Sequence, residues 1–128
     1  MKFIPETLEG ANMISRLDER APMRLWVGSV AYERSVIVPW MGEVRPWPVS
    51  AWSELALADF ERLASFDPEL VIFGSGARMR FAPAALLRPL VERRIGIESM
   101  DTAAACRTYN VLVSERRSVL AALLIGVE

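Results

Sequence analysis

The sequence contains no histidine and only one cysteine, Cys106, among its 128 residues. Without histidine there is no Ser-His-Asp or Cys-His nucleophile system, no histidine general base and no histidine-containing zinc or iron site. A single cysteine also excludes an internal disulfide, a CxxC redox pair and metal ligation by cysteine alone. A catalyst built from this sequence would have to use carboxylates, arginine, tyrosine, Lys2, hydroxyl groups or one thiol.

Long hydrophobic runs are also missing. The longest apolar run covers the seven residues 119–125, whereas a membrane-spanning helix needs about 20. Residues 1–6 have neither the apolar stretch of a signal peptide nor the Arg-rich, acid-poor pattern of an organelle transit peptide. We therefore expect no transmembrane segment and a cytoplasmic protein, or a mature form that has lost a targeting segment.

Lysine is scarce as well, since Lys2 is the only lysine among fifteen basic residues. Residues 1–69 carry seven basic and eleven acidic side chains, a local charge of −4, and residues 70–117 carry eight arginines and four acids, a local +4. The net charge of −1 and the absence of a recognisable binding motif argue against a nucleic-acid partner. The arginine bias indicates either a general preference for arginine or a basic face formed by the second half.

What the sequence does have is the composition of an ordinary globular domain. Hydrophobic residues make up 52% and charged residues 24% of the chain. No internal repeat, low-complexity tract or Gly/Ser linker divides it. At about 100–200 residues per domain, the sequence predicts a single domain over residues 1–128.

The first half of the chain reads as rich in β-structure. Residues 1–22 are mixed and turn-rich, without a periodic pattern. Alternating or continuous apolar residues then predict extended segments, the last of which contains Pro46 and Pro48 and should be an edge strand or a loop on the sheet. These segments are residues 23–27, continued across a bend by 29–32, then residues 35–38 and residues 44–49.

The second half alternates helices and strands. The predicted helices are residues 55–66, residues 83–94 starting at Pro83, and residues 103–113 capped by Asp101 or Thr102. The predicted strands are residues 70–73, residues 97–99 and residues 118–127, the last being compatible with either state and interpreted as a strand. This alternation predicts an α/β fold with a sheet that is covered on both faces and at least partly parallel.

A turn after the buried strand at 70–73 is the first candidate site. Gly74, Ser75 and Gly76 occupy the position where ligands collect in open α/β sheets, and Arg78 and Arg80 follow. The turn matches neither a GxGxxG fingerprint nor a P-loop. It is therefore either a purely conformational turn or one wall of a ligand or partner cleft, with Met100 as a further candidate residue.

A polar stripe on the helix at 103–113 is the second candidate. Thr102, Cys106, Arg107 and Asn110 recur at three- and four-residue steps, which places them on one helix face. Such a stripe either pins a neighbouring loop by hydrogen bonds or lines a cleft beside the Gly-Ser-Gly turn. Cys106 would be a nucleophile only if a neighbour such as Arg107 lowered its pKa.

Three tryptophans and one acid pair complete the candidates. Trp40, Trp47 and Trp52 lie among prolines, a pattern typical of a segment covering a core edge and also of interface anchors. Glu98 and Asp101 form the closest acid pair near the candidate cleft, although Asp101 is better explained as a helix cap.

The last third of the chain resembles a known family. The matching pattern is a glycine, a short strand, Met-x-Thr, an Ala-rich helix, Thr-Tyr-Asn-x-Leu, then Glu, Arg and an apolar strand, found here at Gly96, Met100, Thr102, residues 103–106, residues 108–112, Glu115, Arg116 and residues 119–124. Residues 35–39 and 71–76 match upstream, so the likeness covers roughly residues 10–125. The sequence thus resembles the domain family, of unknown function, that includes mitochondrial complex I assembly factor 3 and uncharacterised bacterial proteins.

The resemblance implies a three-layer α/β fold with a mixed central β-sheet, helices on its faces and an antiparallel final strand, in addition to the β-rich N-terminal half. It implies a non-enzymatic protein-interaction or assembly-factor-like domain with a protein partner. We expect a monomer or homodimer. It provides no catalytic residue, metal or cofactor, and none is assigned. The alternative is an anionic-ligand-binding protein or weak enzyme that uses the cleft near Gly74 and Gly76.

Overall fold

The computed structural model describes residues 9–20 and 22–127. These residues form eight strands and three α-helices, with short 3-10 turns at Trp52–Glu54 and Ala84–Leu86. In chain order the elements are β1 (Ile14–Asp18), β2 (Arg24–Val27), β3 (Val30–Tyr32), β4 (Val36–Pro39), β5 (Arg45–Pro46), α1 (Leu57–Ala64), β6 (Leu70–Gly74), α2 (Arg88–Glu92), β7 (Gly96–Met100), α3 (Thr102–Ser114) and β8 (Val119–Leu123).

A five-stranded mixed sheet, in the order β5-β4-β8-β6-β7, forms the centre of the fold. Strand β6 runs parallel to both β8 and β7, whereas β4 is antiparallel to β8 and β5 is antiparallel to β4. The strand interpretation of the last segment is therefore confirmed, and this strand is antiparallel to one neighbour and parallel to the other. Pro46 lies on the edge strand β5, as expected for a residue that cannot donate to the ladder.

Apolar side chains on the two faces of this sheet enter two different cores. Along β8, Leu120 and Ala122 pack in the core that contains α1 and α2, whereas Ala121 and Leu123 pack in the core that contains α3 and the small sheet β1-β2-β3. This alternation follows from the two-residue period of a strand. The predicted α/β class, with three layers around a mixed sheet, is confirmed.

The small antiparallel sheet corrects the interpretation of the N-terminal region. Residues 1–22 show no periodic pattern, yet Ile14–Asp18 forms strand β1 and pairs with β2, with an irregular register between Ile14 and Arg16. The bend between β2 and β3 is a tight turn in which Gly28 has a φ of +58°, a conformation that favours glycine. Residues 1–8 and 21 lie outside the described residues.

The predicted helix over residues 83–94 is wrong in its extent. The structure has a 3-10 turn at Ala84–Leu86 and a five-residue helix that begins at Arg88. Pro89 explains the break, since a proline is accommodated in the first helical turn but not in the interior of a longer helix. In this short helix Leu90 is buried, whereas the adjacent Val91 is 67% exposed.

The tryptophan-rich segment packs into the core. Trp47 is buried, and its ring lies edge-on to Phe60 and Phe73 with centroid distances of 6.2 and 6.1 Å. Trp52 lies 5.9 Å from Phe73, and Trp40 is half-buried against the core on the α3 side. These three tryptophans therefore cover the core, which agrees with the interpretation of this segment as one that covers a core edge.

Candidate functional site

The Gly-Ser-Gly turn lies at the carboxyl end of β6, between the end of β7 and the start of α3. Gly74 needs its small size there, because a Cβ atom would lie 2.9 Å from Leu123 Cδ2 and 3.1 Å from the backbone Cα of Thr102. The backbone atom cannot move aside as a side chain can. The close approach of β6 to α3 thus accounts for the glycine.

The amide groups of this turn are used inside the protein. The Ser75 N–H donates to the Met100 carbonyl at 2.8 Å, and the Gly76 N–H donates to Thr102 Oγ1 at 2.9 Å. Thr102 is completely buried, and its hydroxyl donates in turn to the Leu124 carbonyl at 2.8 Å. Since both amides are occupied, neither the Ser75 nor the Gly76 N–H is available to an anion.

The Ser75 hydroxyl shapes the segment that follows the turn. It donates to the Arg78 carbonyl at 2.7 Å, with the Met100 carbonyl at 3.1 Å as a second acceptor, and it accepts the Arg80 N–H at 2.9 Å. Beyond this segment, the Ala82 N–H donates to Ser99 Oγ at 3.0 Å. Residues 77–81, which we call the arginine loop, are therefore held at both ends by serine hydroxyls.

The side chains of the arginine loop combine positive charge with exposed apolar surface. Phe81 is 76% exposed and Met79 is 44% exposed. The Arg80 guanidinium lies 4.2 Å above the centroid of the Trp52 ring, and its buried Nε has no hydrogen-bond partner within the part of the chain that the structure describes. Neither Arg78 nor Arg80 forms an ion pair with a carboxylate of residues 9–20 or 22–127.

The polar stripe on α3 contacts two different parts of the molecule. Thr102 faces the Gly-Ser-Gly turn, whereas Asn110 binds strand β1: its Oδ1 accepts the Ile14 N–H at 2.9 Å and its Nδ2 donates to the Ile14 carbonyl at 2.8 Å. Cys106 and Arg107 lie with Asn110 along a groove of about 290 Å³ between α3 and β1. The stripe therefore pins a neighbouring segment, in this case a strand.

The environment of Cys106 keeps its thiol protonated. The side chain is only 4% exposed, and burial raises its pKa from 9.0 to about 12, although the positive charge of Arg107 acts in the opposite direction. A thiolate nucleophile at neutral pH is therefore not formed at this position. Asp101 caps α3 by accepting the Ala104 N–H at 2.8 Å, as the sequence predicts.

Two features of this region are not predicted from the sequence. The first is the role of Tyr109, which the sequence shows only as part of a motif. Its buried hydroxyl donates to the Asn12 carbonyl at 2.8 Å, with the Pro39 carbonyl at 3.1 Å as a second acceptor, and burial raises the pKa of this hydroxyl. The second is the exposure of Met79 and Phe81. The sequence feature that indicates it is the presence of two large apolar side chains in a loop segment bounded by Gly76 and Pro83.

Comparisons with known proteins connect this chain to several relatives. The family model described as "Protein of unknown function (DUF498/DUF598)" matches residues 18–124. NADH dehydrogenase [ubiquinone] 1 alpha subcomplex assembly factor 3 of Danio rerio is 35% identical over 80 residues, which cover 61% of this chain and 46% of the relative. The chain thus spans less than half the length of that relative. The Bos taurus protein of the same name is 28% identical over 124 residues, covering 87% and 66%.

Solved bacterial structures share the fold. A crystal structure of a Bordetella parapertussis protein is 30% identical with a TM-score of 0.83, covering 91% of this chain and 97% of that one. The solution structure of a Xanthomonas campestris protein is 30% identical with a TM-score of 0.77, covering 98% and 90%. Within the described residues of our chain, no helix is long and apolar enough to cross a membrane.

Proposed function

The chain belongs to DUF498/DUF598, a family of proteins of unknown function, and on that premise we propose that it is a non-enzymatic protein-interaction domain with an assembly-factor-like role. Support comes from the relatives that are named assembly factors, whose role implies contacts with other proteins. The partner would be a protein. We further infer a cytoplasmic location, a monomer or homodimer, and no nucleic-acid partner, for which the net charge of −1 is the supporting observation.

The observation that carries this proposal is the composition of the arginine loop. Phe81 and Met79 expose apolar surface beside Arg78 and Arg80, and aromatic and arginine side chains dominate the energetics of protein interfaces. Burying a phenylalanine side chain contributes about 1.5–3 kcal/mol relative to leaving it in water. A partner covering Phe81 would therefore gain a substantial part of its binding free energy from this side chain.

The other predicted site residues would support this surface or form a second one. Hydrogen bonds from Ser75, Gly76 and Thr102 fix the base from which the arginine loop emerges, and Gly74 and Met100 lie at the same base. Cys106, Arg107 and Asn110 instead line the groove beside β1. We propose the arginine loop as the main partner surface and this groove as a separate, secondary one.

The proposal is tested by reversing the charge of the loop. Arg78→Glu combined with Arg80→Glu should abolish recovery of the partner when the tagged chain is purified from its own cells and analysed by mass spectrometry. The fold should persist, because Arg78 is exposed and Arg80 forms no ion pair with a described carboxylate. Circular dichroism should show unchanged secondary structure.

A matched control reverses two exposed arginines elsewhere. Arg45→Glu with Arg62→Glu changes the net charge by the same amount but leaves the arginine loop intact. This control should recover the partner as the unmodified chain does. Equal recovery of the partner by the loop variant would contradict the proposal.

The alternative function, an anionic-ligand-binding protein or weak enzyme, is favoured by one observation. Arg78 and Arg80 form no ion pair with a carboxylate of the described residues, and a bound anion would supply the missing negative charge. A thermal-shift screen with phosphates, nucleotides and carboxylates separates the two functions, since a ligand at about 100 times its Kd stabilises the fold by about 2.7 kcal/mol. A shift that disappears in the loop variant would favour the ligand, and no shift across the library would favour the protein partner.

A further inference from the structure

The arginine loop has a more specific pattern than an apolar patch. Over four consecutive residues, 78–81, basic and apolar side chains alternate, and Met79 and Phe81 are both exposed. A purely apolar partner would cover Met79 and Phe81 but would leave two guanidinium groups desolvated without an acceptor, which is unfavourable. A matching surface therefore needs acceptors beside apolar side chains, and carboxylates are the acceptors that bind arginine most strongly.

The positive charge of the arginine loop also favours a partner surface that carries carboxylates. Some exposed arginines elsewhere have carboxylate partners, for example Arg88 with Glu92 at 2.7 Å and Arg117 with Glu69 at 3.3 Å. Others, such as Arg34 and Arg62, form no ion pair among the described residues. Arg78 and Arg80 have no such partner among the residues that the structure describes. Carboxylates bind arginine through short, charge-assisted and often bidentate hydrogen bonds.

Arg80 is positioned to make such a contact. The Arg80 Cζ atom lies 4.2 Å from the centroid of the Trp52 ring, and Trp52 is itself packed against Phe73 in the core. A stacked guanidinium keeps its planar edge available for a carboxylate. The stacking also limits the freedom of the side chain, so less conformational entropy would be lost when an acceptor binds.

The backbone of the loop is ordered before any partner binds. Ser75 Oγ contacts the backbone of Arg78 and Arg80, and Ser99 Oγ accepts the Ala82 N–H. Because these hydrogen bonds already restrict the loop backbone in the free protein, little further conformational entropy is lost when a partner binds. A preorganised surface of this kind binds more tightly for the same contacts. The exposure of Phe81 is therefore the property of a fixed loop conformation.

From these observations we propose that the arginine loop binds a short acidic segment of a protein partner in which carboxylates lie next to a large apolar side chain. The carboxylates pair with Arg78 and Arg80, and the apolar side chain packs on Met79 and Phe81. This inference rests on the proposed interaction function and specifies the chemistry of the partner at the same surface.

An anionic membrane fits the surface less well. Each basic residue near such a membrane contributes only about 1 kcal/mol, and the loop provides two. Residues 1–69 carry a charge of −4, which an anionic surface would repel. A small free anion would satisfy the arginines but leave Phe81 and Met79 in water.

The inference is tested with a library of short randomised peptides displayed for selection on the immobilised full chain. Enriched peptides should combine Asp or Glu with Phe, Leu, Ile or Trp. Binding of a synthetic enriched peptide should weaken by at least about tenfold in Arg78→Glu with Arg80→Glu, and by a similar factor in Phe81→Ser. Amide NMR shifts caused by the peptide should centre on residues 77–82.

Matched controls separate the loop from general effects of charge and apolarity. Arg45→Glu with Arg62→Glu, and Val111→Ser at another exposed apolar position, should bind the peptide as the unmodified chain does. The inference is overturned by enrichment of basic or uncharged peptides, by the absence of any enrichment, or by equal binding to the loop variants. Loop-dependent binding to phosphatidylcholine/phosphatidylglycerol vesicles without peptide enrichment would overturn it in favour of a membrane surface.

The outcomes also distinguish this inference from the function on which it rests. If no acidic peptide is enriched while the cellular partner is still lost by the loop variant, the interaction function stands and the acidic-segment inference fails. If the loop variant recovers the cellular partner as well as the unmodified chain does, the proposed function itself is contradicted at this surface.

Discussion

At the scale of single residues, one buried hydroxyl group connects three segments of the chain. Thr102 Oγ1 accepts the Gly76 N–H after β6 and donates to the Leu124 carbonyl after β8, while Thr102 itself begins α3. Both bonds are buried. A hydroxyl group is therefore required at this position, and the apolar isostere valine would leave a donor and an acceptor without partners.

Thr102→Val should lower the free energy of unfolding by about 1–3 kcal/mol, because a buried N–H and a buried carbonyl both lose their partner while the shape is preserved. Urea denaturation followed by circular dichroism measures this change. Thr102→Ser, which keeps the hydroxyl, should recover most of the loss. Thr108→Val, at a half-buried position on the same helix, is the control and should change stability far less. Equal losses for Thr102→Val and Thr108→Val would contradict this role.

At the scale of the elements, the side-chain amide of Asn110 makes the hydrogen bonds to the backbone of β1 that a neighbouring strand would make. It both accepts from and donates to the backbone of Ile14, as a paired strand residue would. The register of β1 against β2 is irregular between Ile14 and Arg16, next to this contact. Through this contact, helix α3 fixes the position of the small sheet β1-β2-β3.

Asn110→Leu should weaken the attachment of β1 more than it weakens the central sheet. Two hydrogen bonds to Ile14 are lost, and two partly buried backbone groups are left without these partners, which costs about 1–3 kcal/mol. Hydrogen exchange should accelerate at residues 14–18 and remain slow at β6 and β8. Asn12, whose amide binds the Pro39 and Gly42 carbonyls, offers a comparison: Asn12→Leu should affect the start of the chain and β4 instead. Uniform acceleration over all strands in Asn110→Leu would contradict a local role.

The same elements show which features the sequence can predict. Continuous apolar runs identify the buried strands Leu70–Gly74 and Val119–Leu123, and a capping aspartate with an Ala-rich run identifies α3. Strand β1 was missed because it is polar and half-exposed and depends on Asn110, a contact 96 residues away. No local pattern contains such information. The predicted helix at 83–94 is too long because Pro89 can occupy only the first turn of a helix, which here begins at Arg88.

The sequence predicts less of the candidate site than of the strands and helices. Position after a buried strand makes the Gly-Ser-Gly turn a candidate, and helical spacing makes the polar stripe one, but spacing along a helix does not tell which neighbour each residue meets. Thr102 meets the turn and Asn110 meets β1, although they share one stripe. The role of Ser75 in ordering the arginine loop depends on contacts with Met100, which is distant in sequence.

At the scale of the whole molecule, two cores share one set of strands. The core around Leu63 lies on one face of the central sheet and the core around Leu25 lies on the other, and both include side chains of β4, β6 and β8. Neither core can be exposed without removing packing from the strands that support the other. We therefore predict that the described residues, 9–20 and 22–127, unfold as one cooperative unit, as expected for a single domain of this size.

Leu63→Ala in α1 and Leu25→Ala in β2 test this cooperativity with the same chemical change at two completely buried positions. Each variant loses about 2–5 kcal/mol of stability through lost burial and the resulting cavity. If the chain is one unit, each urea midpoint falls while the m-value stays that of the unmodified protein, because the surface exposed on unfolding is the same. Tryptophan fluorescence and far-UV circular dichroism should give coincident transitions. A second transition or a reduced m-value in Leu25→Ala alone would show that the small sheet unfolds separately, and the single-domain interpretation would then fail.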